Sequence, residues 1–296
     1  MPEYLPFDPV PRAPVPLPPP LACDSQFHVF GPPEVYPVRP GAAYTMPTAT
    51  WQVARRMHAT IGIERGVIVQ ATTYGADHQV VLDALAGLNA GGGPRRYLAC
   101  ANAAVLLERD DACLAKLHEA GVRGARFTRG GLGITFSPQQ MREALAKVRA
   151  LGWYVKLQPE PEGIAAQLQA FDDVDVPLLV DHMGRPDPQR GDEDPSLREI
   201  LARLPDGRLW VMLSLSEKIS RQGRPWDDVV PIAQRLIDAA PDRCVWGSDW
   251  PHPVSVKQPP NEGDLMELLY RYAPDPQVLH RILVDNPARF FGLEND

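Results

Sequence analysis

The feature that most constrains this chain is a rhythm. From residue 23 onward, short apolar runs alternate with amphipathic stretches. The strand candidates are CDSQFHVF (23–30), GVIVQAT (66–72), YLACANA (97–103), GARF (124–127), YVKLQ (154–158), LLVDHMG (178–184), LWVMLSL (209–215) and VWGSD (245–249). They are short, mostly β-branched or apolar, and bounded by Gly, Pro or polar residues. Between them lie helix-like segments such as HQVVLDALAGL (78–88), DACLAKLHEAG (111–121) and DDVVPIAQRLIDAAP (227–241). Another follows Ser137-Pro138, where Ser suits the N-cap, Pro the first helical position and Gly152 the stop. Met141, Leu145 and Val148 recur on one face of it. Pro231 must occupy the first turn of its helix, because an interior proline removes a hydrogen bond.

Eight strands alternating with helices predict an α/β chain closed into a (β/α)8 TIM barrel. An open doubly wound sheet is the alternative. Its dinucleotide-binding version loses support because no GxGxxG follows the first strand. The Gly91-Gly92-Gly93 run comes after a helix and reads as a loop.

Composition sharpens this outline at one place. The 296 residues include 33 prolines, nine of them among the first twenty residues. Residues 1–21 therefore read as an extended, Pro-rich N-terminal arm, ordered only if it packs on the body. Residues 22–293 form a single barrel domain. The arm lacks the basic start and apolar core of a signal peptide. A net charge of -7 argues against a nucleic-acid partner. No apolar run approaches the roughly 18 residues of a membrane span. The cysteines Cys23, Cys100, Cys113 and Cys244 lack metal-like spacing and read as free thiols of a reducing cytoplasm. Barrels of this size commonly self-associate, but no surface stripe identifies a contact.

In a TIM barrel the C-terminal strand ends form the chemical rim. The candidate rim residues are Gln26 and His28 on strand one, and Gln70, Thr72 and Tyr74 on strand two. Asn102 follows on strand three, Arg123 and Arg126 on strand four, and Lys156 and Gln158 on strand five. Strand six supplies Asp181, His182 and Arg185, strand seven Ser214 and Ser216, and strand eight Asp249 followed by Trp250 and His252. Such regular placement of His, Arg and Asp points to an enzyme. Asp249 ends an apolar strand, where a carboxylate is expensive unless it is hydrogen-bonded or useful. His58, His78, His118 and His280 lie on helix-like stretches and are expected to face solvent.

CDSQFHVFGP, VIVQATTYGADH, GVRGARF, VDHMGRPD, WGSDWPHP and ILVDNPARFFG occur in this order. Together they resemble the amidohydrolase superfamily over about residues 21–293. Within it the chain is most similar to the branch of 2-pyrone-4,6-dicarboxylate lactonases and sugar-acid lactonases or lactone isomerases. The resemblance implies a distorted (β/α)8 barrel. The family's first strand usually reads D-x-H-x-H, whereas here Gln26 replaces the first histidine. A neutral amide is a poor zinc ligand, and the close branch is thought to work without metal, so no metal and no other cofactor is expected. Met212 stands where relatives often carry a lysine, and FTRGGLGITF (127–136) departs from the usual continuation.

The resemblance implies hydrolysis of a carboxylate-bearing lactone. Asp249 would act as general base on water, with His28, His182 and Gln26 polarising the carbonyl. Arg123, Arg126 and Arg185 would hold substrate carboxylates, and Tyr44, Thr72, Tyr74, Gln158 and His252 would complete the substrate site. The alternatives are isomerisation of a sugar-diacid lactone and a barrel that binds without catalysis. The expected partner is a small anionic lactone or carboxylic acid.

Overall fold

A computed structural model describes residues 4–128, 132–172 and 174–294. Within FTRGGLGITF, residues 129–131 lie outside the described residues. The strands are β1 (Cys23–Phe27), β2 (Arg65–Val69), β3 (Tyr97–Asn102), β4 (Val122–Phe127), β5 (Tyr154–Leu157), β6 (Leu178–Val180), β7 (Leu209–Leu213) and β8 (Cys244–Trp246). They form one sheet in chain order, each parallel to the next. Beyond the ladder, Asp249 N donates to Gln26 O (2.9 Å) and His28 N to Trp250 O (2.7 Å). These bonds bring the end of β8 back against β1. The architecture is therefore the (β/α)8 barrel.

Strand periodicity explains its layers. Val67 and Val69, Leu98 and Cys100, and Trp210 and Met212 share an inner cluster with Tyr154, Leu179 and Val245. Their neighbours Ile68, Ala99, Ala101, Leu209, Val211 and Leu213 join the larger apolar layer that includes the helices. Alternate side chains of a strand face opposite ways, so each strand feeds both cores. The expected helices form at Gln79–Leu88, Asp111–Ala120, Pro138–Ala150 and Val230–Ala239. Ser137 caps its helix in a reciprocal box with Gln140, satisfying two otherwise unpaired amides.

The same alternation places charge. On β4, Ala125 and Phe127 join the outer layer. Gly124 and Arg126 have the opposite parity, and a Cβ on Gly124 would meet the inward Tyr154 ring at 2.4 Å. Arg126 pairs in register with Lys156, and Lys156 with Leu179. Asp181, two residues beyond Leu179, completes an inward layer of three charged groups.

The strands stop earlier than the apolar runs suggest. His28, Asp181 and Asp249 each follow a strand end rather than lying within a strand. Residues 4–21 contain no helix or strand and lie partly against the helix Glu262–Tyr272, where Arg12 meets Asp264 and Glu267. Cys23, Cys100 and Cys244 are buried free thiols and Cys113 is partly exposed. No helix among the described residues is long and apolar enough to cross a membrane.

Candidate active site

The rim opens into a small cavity of about 70 Å3. Asp249, His28, Arg126 and His182 face it, with Tyr44, Thr72, Gln158, Arg185 and Lys218 around them. Leu132, Leu215, Pro253 and Val254 supply apolar wall.

At one side, Asp249 Oδ1 accepts Gln26 Nε2 at 2.8 Å and lies 3.2 Å from His28 Nε2. His28 Nδ1 sits 2.7 Å from Val69 O. A carbonyl can only accept, so Nδ1 carries the hydrogen. The Nε2–Oδ1 contact is then a hydrogen bond only when imidazole and carboxylate share one further proton. Burial pushes the Asp249 carboxyl up, but His182, His28 and Lys218 outweigh it and hold the group well below the ordinary carboxylate range. Among the described residues no hydrogen bond reaches its second oxygen, Oδ2.

The other side is cationic. Arg126 Nε donates to Asp181 Oδ2 at 2.8 Å, while Lys156 Nζ lies 2.9 Å from Asp181 Oδ1. Burial opposes ionisation of Asp181, yet Arg126 and Lys156 bring it down to about 2. Two cations share this one carboxylate, so the floor retains positive charge. His182 lies between the two sides. Its Nδ1 is 2.9 Å from Ser214 Oγ and its Nε2 is 3.4 Å from Arg126 Nη2. A guanidinium only donates, so Nε2 accepts. Burial, partly opposed by Asp181 and Asp249, depresses His182 to about 4. With Nδ1 engaged by Ser214, neutral His182 has no N–H for a substrate carbonyl in this arrangement.

Tyr44 OH accepts from Thr72 Oγ1 at 3.1 Å, and burial raises its phenol. Among the described residues, Gln158 Oε1 is buried without a hydrogen-bond partner, which leaves an acceptor in the cavity wall.

Three expected substrate contacts lie elsewhere. Arg123 stands at the start of β4, on the outward parity, and its Nη1 donates to the His118 and Val122 carbonyls. It belongs to the end of the barrel away from the rim. His252 is fully buried behind the cavity, its Nδ1 3.6 Å from Glu217 and its Nε2 3.2 Å from Glu262. Tyr74 is buried too, and its hydroxyl accepts from Gly31 N. The expectation of outward-facing helix histidines also fails for two residues. His58 is buried against Asp24 and Tyr97, and His78 is buried with Nε2 accepting Asn102 N. Lys218 is a cavity cation that was absent from the expected set. Its signal was a lone lysine just beyond the seventh strand, where it donates to Pro253 O at 2.8 Å.

A family model described as Amidohydrolase matches residues 23–293. The chain belongs to this family. It is 36% identical over 287 residues to the 4-sulfomuconolactone hydrolase of Hydrogenophaga intermedia, covering 93% of this chain and 89% of the relative. It is 32% identical over 283 residues to the 2-pyrone-4,6-dicarboxylate hydrolase of Comamonas testosteroni, covering 92% and 90%. A solved apo structure from Agrobacterium tumefaciens superposes with a TM-score of 0.80 at 27% identity, covering 95% of this chain and 99% of that one.

The wider superfamily raises the question of a divalent metal. The donor set does not fit one. The Gln26 amide N–H is aimed at Asp249 Oδ1, and an Arg126 N–H faces His182 Nε2. Asp249 Oδ1 and His182 Nε2 are thus each engaged by a donor, one from a fixed cation. Among the described residues no group of three His, Cys, Asp or Glu could hold a metal ion.

Proposed function

We propose that this protein hydrolyses a small lactone carrying at least one anionic group, through a metal-independent reaction with Asp249 as general base. The observation that carries the reading is Asp249 itself. It is held ionised, its Oδ1 accepts Gln26 Nε2 and lies beside His28 Nε2, and among the described residues no donor reaches its Oδ2, beside a cavity bearing Arg126, Arg185 and Lys218. Two relatives named for a sulfomuconolactone and a pyrone dicarboxylate support an acidic ring ester as substrate.

Water attacks the lactone carbonyl carbon while Oδ2 takes its proton. Arg126 stabilises the negative charge that develops on the carbonyl oxygen, a role suited to a preorganised donor in a dry site. The ring C–O bond then breaks, and protonated Asp249 returns the proton to the leaving oxygen. The product is an open hydroxy acid. Arg185 and Lys218 hold the substrate's anionic substituent, with Arg185 able to do so through a planar fork. Tyr44, Thr72 and Gln158 contact the ring.

The test is turnover of carboxylated and sulfonated lactones in 18O-labelled water. Hydrolysis places solvent oxygen in the new carboxylate, whereas product that is still a lactone and carries no label assigns isomerisation instead. Full activity after exhaustive chelation is expected. A stoichiometric metal required for turnover overturns the metal-free mechanism.

A further inference from the structure

The cavity depends on a segment remote in sequence. Asp249, His252 and Val254 all have positive φ, at 60°, 59° and 61°. Non-glycine residues adopt this region at a cost and persist there only when their surroundings hold them. Part of that hold comes from within the barrel. Trp250 N donates to Ser248 Oγ, and Ser255 Oγ to His252 O. The rest comes from the N-terminal arm. Leu5 N donates to Ser255 O at 2.9 Å, and the Phe7 ring lies 4.8 Å from that of Trp250, the neighbour of Asp249. The Tyr4 ring meets the cavity residue Tyr44 edge-on at 6.4 Å.

The arm is itself fastened at its other end. Asn261 Nδ2 donates to Asp8 Oδ2 and Val10 O, and Asn261 Oδ1 accepts Arg12 N at 2.8 Å. Arg12 also forms a fork with Glu267 and reaches Asp264. The backbone at Arg12 comes so close that a Cβ on Gly263 would stand 2.1 Å from Arg12 O. Residues 4–12 thus run from an anchor on the helix Glu262–Tyr272 to two separate walls of the cavity.

We propose that this arm is a strap belonging to the catalytic apparatus, with Tyr4 and Phe7 as positioning residues. Phe7 acts through Trp250 on the Asp249–Val254 loop, and Tyr4 acts through Tyr44. The proposal rests on the lactone-hydrolase reading for its kinetic readout only.

The experiment uses the full chain. Gly263→Ala displaces the arm without altering any of its residues, and Phe7→Ala removes its contact with Trp250. Each is expected to lower kcat/KM roughly tenfold, since small misplacements at a reacting centre carry rate penalties of this order or more. The loss falls in kcat at least as much as in KM, and Phe7→Leu recovers most of it. Tyr4→Ala, which removes the ring edge against Tyr44, is expected to lower kcat/KM as well. Val35→Ala, on an exposed side chain outside the arm, leaves kcat/KM unchanged. Unaltered kcat/KM in both displacing variants, with any loss confined to thermal stability, overturns the strap. If the parent shows no turnover of anionic lactones, the substrate reading fails instead, and hydrogen exchange at the Val254 and Ser255 amides decides the strap. Faster exchange in Gly263→Ala supports it, and unchanged exchange overturns it.

Discussion

Two histidine–aspartate pairs sit close together at the β1–β8 seam. His28 Nε2 lies 3.2 Å from Asp249 Oδ1, and His58 Nε2 lies 3.2 Å from Asp24 Oδ2. Their surroundings differ. Asp24 accepts the Gln26 and Ser248 amides on one oxygen and Ser248 Oγ and His58 on the other. Its lone pairs are fully used and no solvent reaches it. Asp249 has both of its described side-chain contacts on one oxygen, and among the described residues no donor reaches the other. On the proposed mechanism, the same pair of side chains becomes a fastener or a base according to how many of the acceptor sites the fold fills. The saturated pair in turn locates the unsaturated one. Asp24 holds the backbone of Gln26 and Ser248, which flank the atoms that orient Asp249.

The largest expected effect separates the two carboxylates by rate. Asp249→Asn keeps the shape of the group but removes its basicity, so kcat should fall by about 10²–10⁴-fold, the usual worth of a general base. Its urea-unfolding midpoint should stay near that of the parent. An Asp249→Asn enzyme with parent-like turnover would remove Asp249 from the role of base and break the comparison at its functional end.

Asp24→Ala should reverse the pattern. It strands several buried donors at once, each worth about 1–3 kcal/mol when unsatisfied. A loss of about 3–5 kcal/mol in folding stability is expected, in line with breaking a buried pair by removing one partner. The molecules that remain folded should retain most of their kcat. Equilibrium unfolding followed by far-UV circular dichroism, together with active-site titration, reads both quantities. A stable but inactive Asp24→Ala chain would make Asp24 part of the chemistry and erase the distinction.

The rim side of this contrast was legible in the sequence, and the Asp24 side was not. Strand ends gave the rim, and the alternation on β4 through β6 gives the inward layer of Arg126, Lys156 and Asp181 once register is known. The buried member His58 was missed, although its signal was local. Ala54, Met57, His58 and Ile61 form the buried stripe of the helix Trp51–Ile61, a spacing that marks the core-facing side whatever the residue's polarity. Arg123 failed for a related reason, since it shares the parity of outward Ala125 and Phe127. His252 was different. The carboxylates that enclose it, Glu217 and Glu262, come from segments far apart in the chain, and no periodicity couples them.

That third histidine sharpens the comparison through pH. Burial lowers His252, but the adjacent Glu217 and Glu262 carboxylates outweigh it and raise the group to about 9. A raised histidine contributes stability that is fully present below its unfolded value near 6.5 and is lost as pH climbs through about 9. His78 and His182 run the other way. Burial depresses each to about 4, so their stabilising effect is present above about 6.5 and fades as pH falls through 4. Stability should therefore peak near pH 6–7. His252→Gln should flatten the alkaline fall while leaving the acid one. An unchanged alkaline limb in that variant would show that the charge of His252 does not hold the loop.

The smallest predicted effect concerns the atom that joins the two pairs. Ser248 Oγ donates to Asp24 Oδ2 and accepts Trp250 N at 3.0 Å, so it ties the saturated aspartate to the residue beside Asp249. Ser248→Ala deletes that link and leaves the other donors to Asp24 in place. One buried Trp250 amide loses its partner, a change worth about 1–3 kcal/mol. If the link only fastens, kcat should remain within about twofold of the parent while the urea midpoint drops. If it also fixes the direction of Asp249, kcat should fall further than stability does, and the fall should persist at low temperature where the variant is fully folded. The second outcome would mean that the two pairs act as one unit, with Asp24 reaching the reaction through Ser248 and the Trp250 backbone. The independent backbone bond from Asp249 N to Gln26 O favours the first outcome, because it holds the end of β8 against β1 without Ser248.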